Sequence, residues 1–303
     1  SLRSLRMRLN RKFFLQIFLI LILIIFVWFI LNNLSINLSR TGIGFDFYWL
    51  SKPAGFSLAE KPLRYSPSDT YAWALFIGWI NSLKVIFSSL IFATFIGILI
   101  GFARLNKNSF IGLISAGYIT VIRQTPLLLQ LMFWYFVGFL NLRNNIFLNF
   151  NQIINFSIQG IDLFGIKFSS EFSALLFGLS IFSSAFIAEV IRGGILSVPF
   201  GQWEAFRSLG LSERTGFIKI IIPQALPAFI PGLTSQYLNL AKNSTLAIAV
   251  GYSDIYAIND TIINQTGRAI ECFIILLSSF LILNLLITNI MGLINKLIIS
   301  SRK

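Results

Sequence analysis

The 303-residue chain offers little with which to make or break covalent bonds. It has no histidine, so neither an imidazole base nor an imidazole metal ligand is available. Its one cysteine, Cys272, lies in an apolar run, which excludes an internal disulfide and a Cys-based metal site. What remains is a small set of polar side chains in apolar surroundings. Lys242-Asn243-Ser244-Thr245 interrupts one such segment. A charge in a bilayer costs about 2.5–3.5 kcal/mol on insertion scales and marks a pathway or a partner. Lys242 would attract a carboxylate, with Asn243 and the two hydroxyls fixing its orientation. The plainer alternative is that Lys242 reaches to the interface or pairs with a carboxylate on a neighbouring span. Gln130 is a weaker candidate, because a lone glutamine often only bonds across helices. Glu189 precedes Arg192 by three residues, the spacing of a local ion pair.

A second polar stretch is Pro199 to Pro223, PFGQWEAFRSLGLSERTGFIKIIIP. It is the longest polar, charged run between apolar segments in the second half. Two short helices with a corner are expected. Gly210 sits where a helix ends in a left-handed residue. Ser212 is placed to cap the next helix, with Glu213 in its first turn, and Pro223 is expected to stop that helix. Without further information this reads as an ordinary loop between membrane spans.

The elements that must position these groups are membrane helices. The chain is 56% hydrophobic and 12% charged, with mean hydropathy +0.79, against about 25% charged in soluble domains. Arg3, Arg6, Arg8, Arg11 and Lys12 precede an apolar run, Phe13 to Leu31, long enough to cross a hydrocarbon core of roughly 30 Å. Asn32-Asn33-Leu34-Ser35-Ile36 follows in place of a small-residue cleavage site, so a retained first span is expected. The chain opens on Ser1 rather than Met, and residues upstream of it are expected. Residues 32–70 are polar and too punctuated by Gly and Pro for a helix. The second span is placed at about Asn81 to Ala103, with Lys84 snorkelling near its outer end. Ile111 to Ile122 leads up to a third span, Pro126 to Leu140. The fourth is Phe172 to Ile191, the fifth Pro227 to Gly251 and the sixth Cys272 to Leu293. Residues 141–171 and 252–270 read as outer loops.

Charge orients this arrangement. Fifteen of the 24 basic residues fall on segments assigned inside and seven on outer segments; Lys84 and Lys242 lie within spans. That bias fits the positive-inside rule, with both termini cytoplasmic. The net charge of +13 therefore orients the protein in a bilayer and does not argue for nucleic acid.

Glu204-Ala205, Gly210, Ile220, Ile222 and Pro223 follow the spacing E-A-A-x3-G-x9-I-x-L-P. This resembles the EAA loop of ABC-importer permeases, the segment that docks into a groove on the partner ATPase. Phe206 stands where the second alanine would be and Ile222 where leucine would be. Arg123-Gln124-Thr125-Pro126-Leu127-Leu128-Leu129-Gln130, Ala188-Glu189-Val190-Ile191-Arg192-Gly193-Gly194, Gly201-Gln202-Trp203-Glu204-Ala205 and Pro223-Gln224-Ala225-Leu226 are similar to permeases of the polar amino-acid uptake family over about residues 75–290. Gly44-Phe45-Asp46-Phe47, Pro53-Ala54-Gly55-Phe56 and Tyr65-Ser66-Pro67-Ser68-Asp69-Thr70-Tyr71 narrow the resemblance to permeases of the general L-amino-acid transport system. Relatives of narrower specificity often read Lys-Asp-Thr-Ser-Leu where this chain has Lys242-Asn243-Ser244-Thr245-Leu246.

The resemblance implies an all-α membrane protein with six transmembrane helices, the type I ABC-importer permease fold, and a cytoplasmic coupling helix. Residues 1–70 would be a basic tail, first span and periplasmic loop, and residues 71–303 the permease core. It implies uptake of L-amino acids of broad range across a bacterial inner membrane. The expected partners are two copies of an ATP-binding subunit, a second permease and a periplasmic amino-acid-binding protein. ATP and Mg would sit on the partner ATPase, with no cofactor in this chain, which has no G-x-x-x-x-G-K-[ST] phosphate loop and is not read as an enzyme. A stand-alone ion-coupled carrier or channel is the alternative; it would call for several intramembrane carboxylates, and only Glu189 lies within a proposed span.

Overall fold

A computed structural model describes residues 2–42, 44–106, 109–140, 154–157, 160–163 and 166–300. Ten α-helices occur among them: α1 (Leu2–Thr41), α2 (Tyr71–Ala103), α3 (Phe110–Gln124), α4 (Leu127–Met132), α5 (Ser170–Leu196), α6 (Phe200–Ser208), α7 (Glu213–Gly216), α8 (Ile222–Asn243), α9 (Ile255–Thr266) and α10 (Ala269–Ser300). Five helical stretches are long and apolar enough to cross a bilayer: Phe13–Asn37, Tyr71–Ala103, Ser170–Leu196, Glu213–Val250 and Ala269–Ser300. The expected third span is different. Leu127–Phe139 is shorter, about 20 Å at 1.5 Å per residue, and its second half is a π-helix, Phe133–Phe139. It follows α3 across a break at Thr125-Pro126, where the residue before proline is extended. The two pieces together supply a length that neither has alone.

α5 is the centre of the bundle. Leu175, Leu179, Ile187, Ile191 and Ile195 are buried along its length and join residues of α2, α4, α8 and α10 in one core. α2 approaches it through Gly97 and Gly101, four residues apart. A Cβ on Gly97 would stand 2.6 Å from Ile187 Cγ2, and one on Gly101 would stand 2.9 Å from the Ala188 carbonyl oxygen. Small residues at this spacing let two membrane helices close up where lipid provides no hydrophobic drive.

Several stretches read as irregular from sequence are ordered. α1 continues through the polar residues 32–41, since neither Gly nor Pro intervenes before Gly42, whose φ of +68° ends it. None of the Phe13–Asn37 window is buried. Residues 252–270 hold α9, capped by Asp254 and closed by Gly267 at φ +69°. Ile258 and Ile262 of α9 pack with Trp49, Leu58, Tyr65, Ala74, Leu75 and Ile77 in a second apolar cluster. The segment from Tyr48 to Thr70, mostly without regular structure, is thereby folded onto the start of α2. In the other expected loop, strands β1 (Ile154–Ser157), β2 (Gly160–Leu163) and β3 (Ile166–Phe168) form an antiparallel sheet, with Asn155 opposite Asp162 and Asp162 opposite Lys167. Lys107, Arg143, Arg302 and Lys303, counted above for charge, lie outside the described residues.

Candidate functional site

The 199–223 stretch forms a helical hairpin at one end of the bundle. Gly210, at φ +69°, closes α6: its N–H donates to the Arg207 carbonyl and that of Leu211 donates to the Phe206 carbonyl. These two bonds satisfy carbonyls that a helix end otherwise leaves free. Ser212 caps α7, its Oγ accepting from the Thr215 N–H at 3.3 Å. Glu213, in the first turn, pairs with Arg207 at 2.7 Å, tying the second helix back to the first.

The expected stop at Pro223 does not occur. From Glu213 the chain stays helical through a π segment, Phe217–Ile221, and into α8. Pro223 falls in the first turn of α8, and the wide turn before it already breaks the regular i to i−4 bonding that a proline would otherwise disrupt. The hairpin is therefore the foot of a long rod. Pro227 and Pro231 also lie inside α8.

The two faces of α6 differ sharply. Phe206 is fully buried, while Glu204, Ala205 and Leu209 are exposed. Phe200 and Leu209 show 68% and 76% of their surface, large apolar groups on an otherwise polar hairpin. They stand at the two ends of α6, nine residues apart, with exposed Glu204 and Arg207 between them, and exposed apolar side chains on a short helix suit a groove on a partner. Ile220 and Pro223 are half-buried and hold the foot of the rod.

At Lys242 the α-helix gives way to a 3-10 segment, Ser244–Val250, ended by Gly251 at φ +76°. Lys242 is exposed and Asn243 half-buried. Ser244 is fully buried, its Oγ donating to the Ala241 carbonyl at 2.8 Å, and Thr245 Oγ1 donates to the Lys242 carbonyl at 2.8 Å. The hydroxyls thus fasten the change of helix type, and Lys242 before them faces outward. The ion pairs among the described residues are Lys84–Glu60, Arg192–Glu189, Arg207–Glu213, and Arg268 with Asp46 and Glu271; Lys242 enters none of them. Ser235 and Asn239, also exposed, precede Lys242 on the same side of α8. The sequence carried this polar stripe at i, i+4 and i+7, and it was missed among apolar neighbours.

Gln130 is buried. Its Nε2 donates to the Ile122 and Thr125 carbonyls at 3.0 and 3.1 Å, so it bridges the break between α3 and α4. Arg192 binds Glu189 through Nε and Nη2, at 3.1 and 2.8 Å, a forked version of the local pair expected from their spacing. Arg123 lies beside them, over the Phe186 ring at 5.0 Å.

The opposite end of the bundle holds a polar network. Arg268 donates to the Gly44 and Asp46 carbonyls, to the Asp46 carboxylate and to the buried Glu271. Lys84, expected to reach toward solvent, instead pairs with Glu60 at 2.8 Å and sits 4.4 Å above the Phe172 ring. A partly buried partner and an aromatic face outweigh an excursion to water. Asn81 Nδ2 donates to the Glu60 and Ser253 carbonyls. Asp254 is fully buried, and burial pushes its carboxyl up to about 7 against the hydrogen bonds it accepts at the start of α9.

With this geometry in place, the chain can be set beside known proteins. Residues 93–300 match the family described as binding-protein-dependent transport system inner membrane component. The general L-amino acid transport system permease protein AapQ of Rhizobium johnstonii is 33% identical over 86% of this chain and 85% of its own length. The amino-acid ABC transporter permease protein YhdX of Escherichia coli, itself named as putative, is 32% identical over 94% and 93%. Among solved structures, an amino acid ABC transporter crystallised with histidines superposes with a TM-score of 0.58 at 30% identity, covering 75% of this chain and 94% of that one. The methionine transporter MetNI, at 20% identity and TM-score 0.57, shares the fold. The chain belongs to the family of binding-protein-dependent transport system inner membrane components, the membrane-embedded permease subunits of ABC importers. The family works with an ATP-binding subunit and a substrate-binding protein. That membership sets aside the stand-alone carrier.

Proposed function

We propose that this chain is the permease of an importer for L-amino acids of broad range, driven by ATP hydrolysis on a partner. The 199–223 hairpin docks on the ATP-binding subunit, presenting Glu204, Ala205, Phe200 and Leu209, with Gly210, Ile220 and Pro223 shaping it. Those exposed apolar side chains, Phe200 and Leu209, on a braced hairpin are the observation that carries the coupling reading. Two ATP-binding subunits, each with its own ATP and Mg, would serve this chain and a second permease, a paralogue. A periplasmic amino-acid-binding protein delivers substrate. Both termini lie in the cytoplasm of a bacterial inner membrane, a placement supported by the excess of basic residues on the segments assigned inside. Residues 71–303 act as the permease core and residues 1–70 as its accessory span and outer segment.

Substrate passes the exposed stripe of α8. Lys242 attracts the α-carboxylate common to all amino acids and Asn243 orients it. Ser244 and Thr245 hold the turn, and Gln130 keeps α4 in register beside it. An uncharged Asn243 next to Lys242 suits varied side chains. The test is uptake into proteoliposomes containing the full complex and internal ATP, with L-glutamate, L-glutamine, L-leucine and L-alanine. Accumulation of several of these only with ATP, and a Lys242→Ala complex with a several-fold higher apparent KM but normal assembly, is expected. Uptake without ATP, or unchanged kinetics in the variant, would contradict the reading.

A further inference from the structure

The inward face of the hairpin departs from the family pattern that the loop resembles. Where the family's pattern has a second alanine, this chain has Phe206, and the ring is fully buried. Its volume is accommodated by Gly216, the last residue of α7: a Cβ there would overlap the Phe206 ring. The ring of one helix is seated in a notch that exists only because the other helix has a glycine. Trp203 lies beside it, 6.2 Å from Phe206 and 5.9 Å from Phe217, and Phe217 in turn meets Phe102 at the end of α2 at 5.8 Å. Two polar ties flank the seat. Arg207 pairs with Glu213 at 2.7 Å, and Gln224 Nε2 of α8 donates to Gln202 Oε1 of α6 at 3.1 Å.

These contacts leave α6 little freedom relative to the rod made by α7, the π segment and α8. A push on the exposed face of α6 cannot be absorbed by bending at the corner, where Gly210 supplies the turn, because the seat lies across that corner. The same rod carries Ser235, Asn239 and Lys242 about five to seven turns beyond Gly216. We propose that Phe206, seated on Gly216, is a positioning residue that makes the docking helix and the α8 rod one rigid body, and so sets how much transport each ATP drives. The proposal rests on the coupling reading above and deepens it: Phe206 does not touch the ATPase, and it converts docking into movement of α8. A shallower seat lets the hairpin rock while α8 stays still.

The test uses the complete complex in proteoliposomes, with uptake per ATP hydrolysed as the readout. The probe is whichever of L-glutamate, L-glutamine, L-leucine and L-alanine the wild type accumulates fastest, and all values are normalised to copurified ATPase. Phe206→Ala empties the seat, Gly216→Ala obstructs it, and Phe206→Ala with Gly216→Val refills the space from the other side. Each single variant is expected to lower uptake per ATP at least fivefold, and the double variant to recover at least half of the wild-type ratio. Phe206→Leu, which keeps most of the volume, is expected to fall between wild type and Phe206→Ala and serves if the alanine variant does not fold. A wild-type ratio in Phe206→Ala or Phe206→Leu overturns the proposal, and so does a double variant no better than the singles. Failure of the coupling reading looks different: the wild-type complex itself would then hold no ATPase or show no ATP-dependent uptake.

Discussion

At the scale of single residues, buried carboxyl groups, Asp254 and Glu271, mark the end of the bundle opposite the 199–223 hairpin. Asp254 is fully buried, with Oδ1 accepting from the Ala257 N–H at 2.8 Å and Oδ2 without a hydrogen-bond partner among the described residues. Burial raises its carboxyl to about 7, while in the unfolded chain it titrates near 4. The folded state therefore holds the extra proton between those values, and stability falls as pH rises through that window. The gap corresponds to roughly 4 kcal/mol against the ionised form, an order-of-magnitude figure. Asparagine caps a helix about as well as aspartate. Asp254→Asn is thus expected to flatten the decline in unfolding temperature between pH 5 and pH 8 in detergent, and to exceed wild type at pH 8. Parallel curves for the two proteins would mean that another group titrates. Nothing in the sequence around Asp254 announced its burial; it read as one more polar residue in a loop, because burial there comes from α2 and α9 closing over it.

Among elements, legibility followed the range of the interactions. The caps at Gly210 and Ser212 were readable because each depends on residues within four positions. Pro223 departs from expectation for the complementary reason: a proline stops a regular helix, but here a π segment precedes it, whose Phe217 and Ile221 pack in the core with residues distant in sequence. α9 was invisible since its apolar face, Ile258 and Ile262, is covered by Trp49, Tyr65 and Leu75 from distant parts of the chain. The close approach of α2 and α5 was written in Gly97-Ile98-Leu99-Ile100-Gly101, a signal that hydropathy alone passes over. α1 shows the opposite case. Its run from Phe13 to Leu31 contains only Phe, Leu, Ile, Val and Trp besides Gln16, with no small residue to admit another helix, and none of its window is buried. Such a helix is suited to face lipid as an anchor. Replacing residues 17–31 by a run of leucine is expected to leave uptake within about twofold of wild type, whereas a loss beyond tenfold at equal membrane abundance would show that α1 packs specifically on a partner.

For the whole molecule, the account divides the chain into two ends joined by α5 and α8. One end is a folded polar cap in which Arg268, Lys84 and Asn81 fasten residues 44–70 to the start of the spans. The other is the hairpin, braced inward by Phe206 and apolar outward at Phe200 and Leu209. Hydropathy gave the number of apolar segments, and local motif spacing marked the hairpin; the interlocking of the two was set by contacts between residues far apart in sequence. The central claim is that the outward face of α6 holds an ATPase. Copurification in mild detergent, wild type beside Glu204→Lys, tests it most directly, because a reversed charge on the exposed face changes the docking surface without entering the core. The account predicts that an ATP-binding subunit accompanies the wild-type chain in stoichiometric amount and is lost from the variant. Equal retention of the ATPase by Glu204→Lys, with uptake unimpaired, would contradict it.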